Sequence, residues 1–142
     1  MPIKRSSAQA GQTLEEFYSD LTKEGNKITT IDTGKSMLLF IDMINKIFRE
    51  TMIWGLTSHY RLVIQAKEQW NSDWYVIVYC IGTHEYYFEY LMPLEKRPWP
   101  YATVNGTAQS LNEAKNYLLI AMVESEGWMN NSELKNLVAG NL

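Results

Sequence analysis

From Tyr60 to Leu91 the chain runs through three stretches, each too short for a helix and together rich in Tyr, Val and Ile. Strands are predicted at Tyr60–Lys67, Trp74–Ile81 and His84–Leu91. In the first, Tyr60, Leu62, Ile64 and Ala66 share a face. The second is apolar on both faces, which suits a central strand. Gly82-Thr83 fits a two-residue type II′ turn, and accepting that tip sets the register. One face then carries Tyr75, Ile77, Tyr79 and Ile81 opposite Tyr90, Phe88, Tyr86 and His84. The other carries Trp74, Val76, Val78 and Cys80 opposite Leu91, Glu89, Tyr87 and Glu85. A slip of one residue exchanges the two faces.

Helices are expected around these strands. Thr13-Leu14-Glu15-Glu16 fits a capping box opening a short helix that Gly25 ends, and Ser110-Leu111-Asn112-Glu113 opens another that runs to about Ser125. From Lys35 to Trp54 the polar residues Asp42, Asn45, Lys46, Arg49 and Glu50 form one stripe of a long helix, closed by Gly55. Lys27–Ile31 reads as a short strand, Tyr101–Val104 as an edge strand, Asn105-Gly106 as a turn and Ser132–Val138 as a last short helix. Residues 1–12 read as a flexible arm and 13–142 as a single α+β domain. Its expected architecture is a three- to four-stranded antiparallel meander packed on the long helix and a C-terminal helix.

A chain of 142 residues, 46% hydrophobic, can bury a real core. Its net charge of −3 argues against a general grip on nucleic acid or an anionic membrane. The single cysteine excludes an internal disulfide, no apolar run reaches membrane-spanning length, and the start lacks an apolar signal core. A cytoplasmic protein is expected.

The familiar chemistries lack their residues. Thr33-Gly34-Lys35-Ser36 matches the end of a phosphate-binding P-loop, but Thr29 stands where that loop needs its first glycine. Cys80 and His84 fall on opposite faces of the predicted hairpin, and Glu85 opposite Cys80 disfavours a thiolate. His59 and His84, the two histidines, have no ligand-spaced partners. Glu85 and Glu89 share a face but stand roughly 13 Å apart at about 3.3 Å per residue, too far for a glycosidase-type pair. No catalytic, cofactor-binding or metal-binding residue is nominated, and a non-enzymatic protein is expected.

Ten of the 18 aromatic residues lie between Trp70 and Tyr101. In the predicted register Trp74, Val76, Val78 and Tyr87 form an apolar patch, with Glu85 and Glu89 on one flank and Arg61 and Lys67 on the other. Such a patch suits docking against another protein, with the charges setting orientation. Arg97-Pro98-Trp99-Pro100-Tyr101 adds an anchor, since Trp, Tyr and Arg are hot-spot types and flanking prolines limit the entropy lost on docking. The partner-binding residues are therefore expected to be Trp74, Val76, Val78, Glu85, Tyr87, Glu89, Arg97, Trp99 and Tyr101.

The order helix, three antiparallel strands, helix over residues 35–125 resembles the double-stranded-RNA-binding domain. Gly106 through Lys115 resembles the glycine-rich turn and Ser-Lys-Lys opening of that domain's last helix. Leu111 and Asn112 stand where the two lysines would be, which removes the phosphate contacts. Ser110-Leu111-Asn112-Glu113-Ala114-Lys115 after a short sheet is also similar to small phage and mobile-element proteins, some of which inhibit or neutralise other proteins. The leading expectation is a protein-binding factor of inhibitor, immunity or regulatory type that masks a partner surface. Duplex-RNA binding, and small-molecule binding or catalysis in a pocket between sheet and helix, are the alternatives.

Overall fold

The computed structural model describes residues 3–68, 74–80 and 84–141. They form an α+β fold in which a six-stranded mixed sheet carries helices on one face. In chain order the elements are β1 (Ile3–Arg5), α1 (Leu14–Leu21), α2 (Ile28–Ile47), β2 (Ile53–Ser58), β3 (Arg61–Gln65), β4 (Tyr75–Cys80), β5 (Tyr86–Leu91), β6 (Thr103–Ala108), α3 (Leu111–Glu124) and α4 (Ser132–Asn141). The sheet runs β1 to β6 in sequence order; β1 pairs parallel to β2, and every other neighbour is antiparallel.

Local chemistry sets the helix ends. The Thr13 hydroxyl accepts from the Glu16 N–H and the Glu16 carboxylate accepts from the Thr13 N–H, a complete capping box. At α3 the Ser110 hydroxyl accepts from the Glu113 N–H, while the Glu113 carboxylate reaches past it to the Gln109 N–H. Asn131 opens α4 by accepting from the Leu134 N–H.

The core lies between the sheet and the helix pair α2 and α3. Met37, Phe40, Ile41 and Ile44 of α2 and Leu118, Leu119 and Met122 of α3 pack on Ile53, Leu62, Ile64, Val76, Val78, Tyr86 and Phe88. Phe40 sits 5.6 Å from Tyr86 and 5.9 Å from Phe88, ring centre to ring centre. The Tyr86 hydroxyl donates to the Ser36 carbonyl at 2.8 Å, so the buried phenol is satisfied. α1 packs on α2, and α4 on α3.

Several expectations are corrected. Residues 27–31 belong to the start of α2, not to a strand, and the long helix ends at Ile47. Phe48 turns extended and is fully buried; the chain then forms β2, in which Ile53, Gly55 and Thr57 face inward. Gly55 is no helix stop: a Cβ there would lie 2.7 Å from Leu14 Cδ1, so α1 packs against bare backbone. Ile3–Arg5, expected within a flexible arm, form β1, with Ile3 in the core. Asn105-Gly106 lies inside β6 and makes no turn. The sheet has six strands where three or four were expected, and five of them separate α2 from α3.

The register of the central hairpin is corrected as well. Ile77 pairs with Glu89, Val78 with Phe88 and Tyr79 with Tyr87, one residue out of step with expectation. The Gly82-Thr83 tip lies outside the described residues. With both faces of β4 apolar, hydrophobicity left the sidedness undetermined, and the expected turn decided it wrongly.

Candidate functional site: the open face of the sheet

The slip turns β4 and β5 over. Val76 and Val78, expected on a docking surface, have no exposed area and lie in the core, as do Tyr86 and Phe88, expected opposite Tyr79 and Ile77. The outward residues are Tyr75, Ile77 and Tyr79 of β4 and Tyr87 and Glu89 of β5, all half-buried. Pairing extends this face across β3 and β2, where Ile77 neighbours Val63 and Val63 neighbours Leu56. In the next row Gln65 lies between Trp54 and Tyr75 and is itself buried. The Tyr79 and Tyr87 rings meet at 4.7 Å. The described helices pack on the opposite, inward side, where Phe40, Tyr117 and Leu14 meet Tyr86, Phe88 and the Gly55 backbone.

Charge borders this apolar centre. Lys4 on β1 and Arg61 on β3 are exposed on the outer side, and Glu89 on β5 lies among the apolar residues, opposite Ile77 and Asn105. Glu85 precedes β5 and accepts a 3.5 Å bond from the Gln109 amide. Burial, then the neighbouring Tyr79 and the Glu89 charge, raises the Tyr87 phenol above its ordinary pKa, so it stays a neutral donor.

The remaining nominated residues fall elsewhere. Trp74 shares the parity of the core side but sits at the mouth of β4. There its Cβ would lie 2.9 Å from a Cβ at Gly127, and Lys67 approaches its ring at 5.6 Å. Trp99 and Tyr101 are 67% and 80% exposed. Arg97 braces the loop that carries them, its Nε donating to the Met92 carbonyl at 2.7 Å. Tyr101 holds a left-handed backbone at φ 61°, uncommon for a bulky residue.

Sequence reasoning missed Trp54, Leu56, Tyr75, Ile77 and Tyr79. The sequence reads Trp54 as a helix end, and Ile53 to Ser58 shows no hydrophobic alternation; the pairing of that segment with β1 and β3 makes it a strand.

The chemistry-bearing motifs are absorbed by the fold. Thr33-Gly34-Lys35-Ser36 lies within α2, and Gly34 is needed because a Cβ would lie 2.7 Å from the Tyr18 carbonyl of α1. Cys80 is buried, and burial pushes its thiol above the ordinary value. Among the described residues no three His, Cys, Asp or Glu side chains cluster to hold a metal. No described helix is long and apolar enough to cross a membrane. A cavity of about 290 Å³ opens between α3 and the β5–β6 side of the sheet, away from α2.

No protein-family model, curated protein or solved structure matches this chain.

Proposed function

We propose that this protein is a non-enzymatic binding factor, of the inhibitor or regulatory kind, that acts by covering the surface of another protein with the open face of its sheet. One observation carries this reading: Trp54, Leu56, Val63, Tyr75, Ile77, Tyr79 and Tyr87 share a continuous face on which no described helix packs. The four strands that carry it, β2 to β5, at about 4.8 Å spacing and about six residues each at roughly 3.3 Å, give a plan area on the order of 400 Å². That is about half of the roughly 800 Å² per partner of a standard interface, the size of its apolar centre. Idle surfaces rarely carry so large an apolar area, and Tyr and Trp supply contact at low entropic cost. Arg61 and Glu89 give the surface a sense of direction. Trp99 and Tyr101, exposed on a loop whose Lys96 pairs with Glu126 beyond α3, are not counted in this surface.

Affinity capture from the source cell with quantitative mass spectrometry tests the assignment. A partner held by the wild type should be lost by Ile77→Lys and weakened by Tyr87→Ala, both folded by circular dichroism. Retention of every specific partner by a folded Ile77→Lys, Tyr87→Ala double variant sinks the reading.

A further inference from the structure

The two edges of the sheet are built differently. The β1 edge is three residues long, with Lys4 exposed on it and the segment from Ala10 to Glu15 beside it, held by the Arg5 bond to the Gln12 carbonyl, which protects it against strand addition. The β6 edge is six residues, Thr-Val-Asn-Gly-Thr-Ala, with neither charge nor proline, and Thr103, Val104 and Asn105 are exposed. Among the described residues no strand pairs with its outer side. A row of backbone donors and acceptors is therefore left open to any chain that can align with it.

Beside that edge lies the cavity of about 290 Å³, walled by Phe88 and Tyr90 of the sheet and Tyr117 and Ile120 of α3. It suits one or two apolar side chains. Glu113, Tyr117, Ile120 and Glu124 follow one another along a single stripe of α3, so a carboxylate stands beyond each end of the apolar part. Glu124 stands one turn beyond Ile120 at the end of that stripe, and its charge, after burial, raises the Tyr90 phenol. Glu85, through Gln109, adds a second negative charge at the Glu113 end.

We propose that the open edge of β6 binds an extended peptide segment of a partner protein as a seventh strand, with an apolar residue of that segment seated between β6 and α3 and basic residues at its flanks. A small apolar molecule would fill the cavity and leave the backbone row unused; an extended peptide matches both at once. The acidic ends select the basic flanks by charge complementarity. This site is separate from the open sheet face.

Panning a random peptide library on the full-length chain, then titrating synthetic versions of the enriched peptides by fluorescence anisotropy, tests it. Enriched sequences should alternate apolar residues and carry Lys or Arg at the flanks. N-methylation of alternate peptide amides should weaken binding about tenfold or more, as should Ile120→Glu at its exposed helix position. Glu124→Lys should weaken binding with the fold intact, and Tyr87→Ala should leave it unchanged. Absence of enriched peptides, or affinity indifferent to N-methylation or to a folded Ile120→Glu, would overturn the proposal. So would a dimer in sedimentation that Ile120→Glu dissociates, which assigns the edge to a second copy.

Discussion

Tyr79 and Tyr87 face one another from adjacent strands, ring centres 4.7 Å apart and planes inclined by 37°, on the side of the sheet turned away from the helices. The pair exists because Val78 and Phe88, one residue along, point into the core. This relationship yields a direct test of sidedness. Val78→Lys should cost more than about 3 kcal/mol and abolish cooperative unfolding, because it buries an unpaired charge. Ile77→Lys should stay folded, within about 1 kcal/mol of wild type. Urea denaturation followed by fluorescence separates the two; the opposite order would restore the register expected from a Gly82-Thr83 tip.

At the α1–α2 crossing, Gly34 admits the Tyr18 carbonyl and the Leu21 and Thr22 side chains. Gly34→Ala should lower stability by about 1–3 kcal/mol through overpacking, although alanine is the better helix former by about 1 kcal/mol. A lower urea midpoint at constant slope is the expected reading, and a raised midpoint would disprove the tight crossing.

Glu133 ties α4 to the segment between α2 and β2. Its carboxylate accepts from the N–H groups of Arg49 at 2.8 Å, Glu50 at 3.1 Å and Thr51 at 2.9 Å, and from the Thr51 hydroxyl. Partial burial opposes ionisation, but these donors outweigh it and hold the pKa below the ordinary 4.5. A depressed carboxyl pKa adds stability that is present above pH 4.5 and is lost as pH falls through the folded-state value. Glu133→Ala should cost about 1–2 kcal/mol at neutral pH, the lower end reflecting partial solvent screening. Glu133→Gln should flatten the acid limb of a stability–pH profile; an unchanged limb refutes the tie.

Tyr86 makes the alkaline counterpart. Burial, then the neighbouring Cys80, pushes its phenol from 10.0 up to about 12, with the Ser36 side chain pulling the other way. An acid whose folded pKa is raised gives stability that is full below its unfolded pKa. That contribution should fade as pH rises from about 10 to about 12, at up to about 1.4 kcal/mol per pH unit. Denaturation midpoints across that range should fall less steeply for Tyr86→Phe than for wild type.

How much of this was legible in the sequence follows from how local each determinant is. The Thr13 and Ser110 caps act within four residues, and both helices start where their side chains predict. The α+β class and the strands β3 to β5 were readable from short runs rich in β-branched or aromatic residues between turn signals. The sidedness of β4 was not, because Tyr75, Ile77 and Tyr79 are nearly as apolar as Val76 and Val78. Nor was β1 legible: three residues with two charges become a strand because Ile3 pairs with Ile53, far along the chain. With the sides exchanged, Glu85, Tyr87 and Glu89 keep an outward setting, while Val76 and Val78 are replaced there by Tyr75, Ile77 and Tyr79.

The parallel seam between β1 and β2 has a bearing on how this protein should be handled. The Ser6 N–H donates to the Gly55 carbonyl, and Gln9 grips the Thr57 backbone from both sides, at 2.8 Å each way. Proteolytic trimming as far as Gly11 would strip that guard and bare the Trp54–Leu56 backbone, an uncharged stretch suited to intermolecular cross-β growth. Light scattering during storage should rise faster for the trimmed chain than for the intact one, since Ser6 and Gln9 shield the β2 side of a sheet whose other border is left bare.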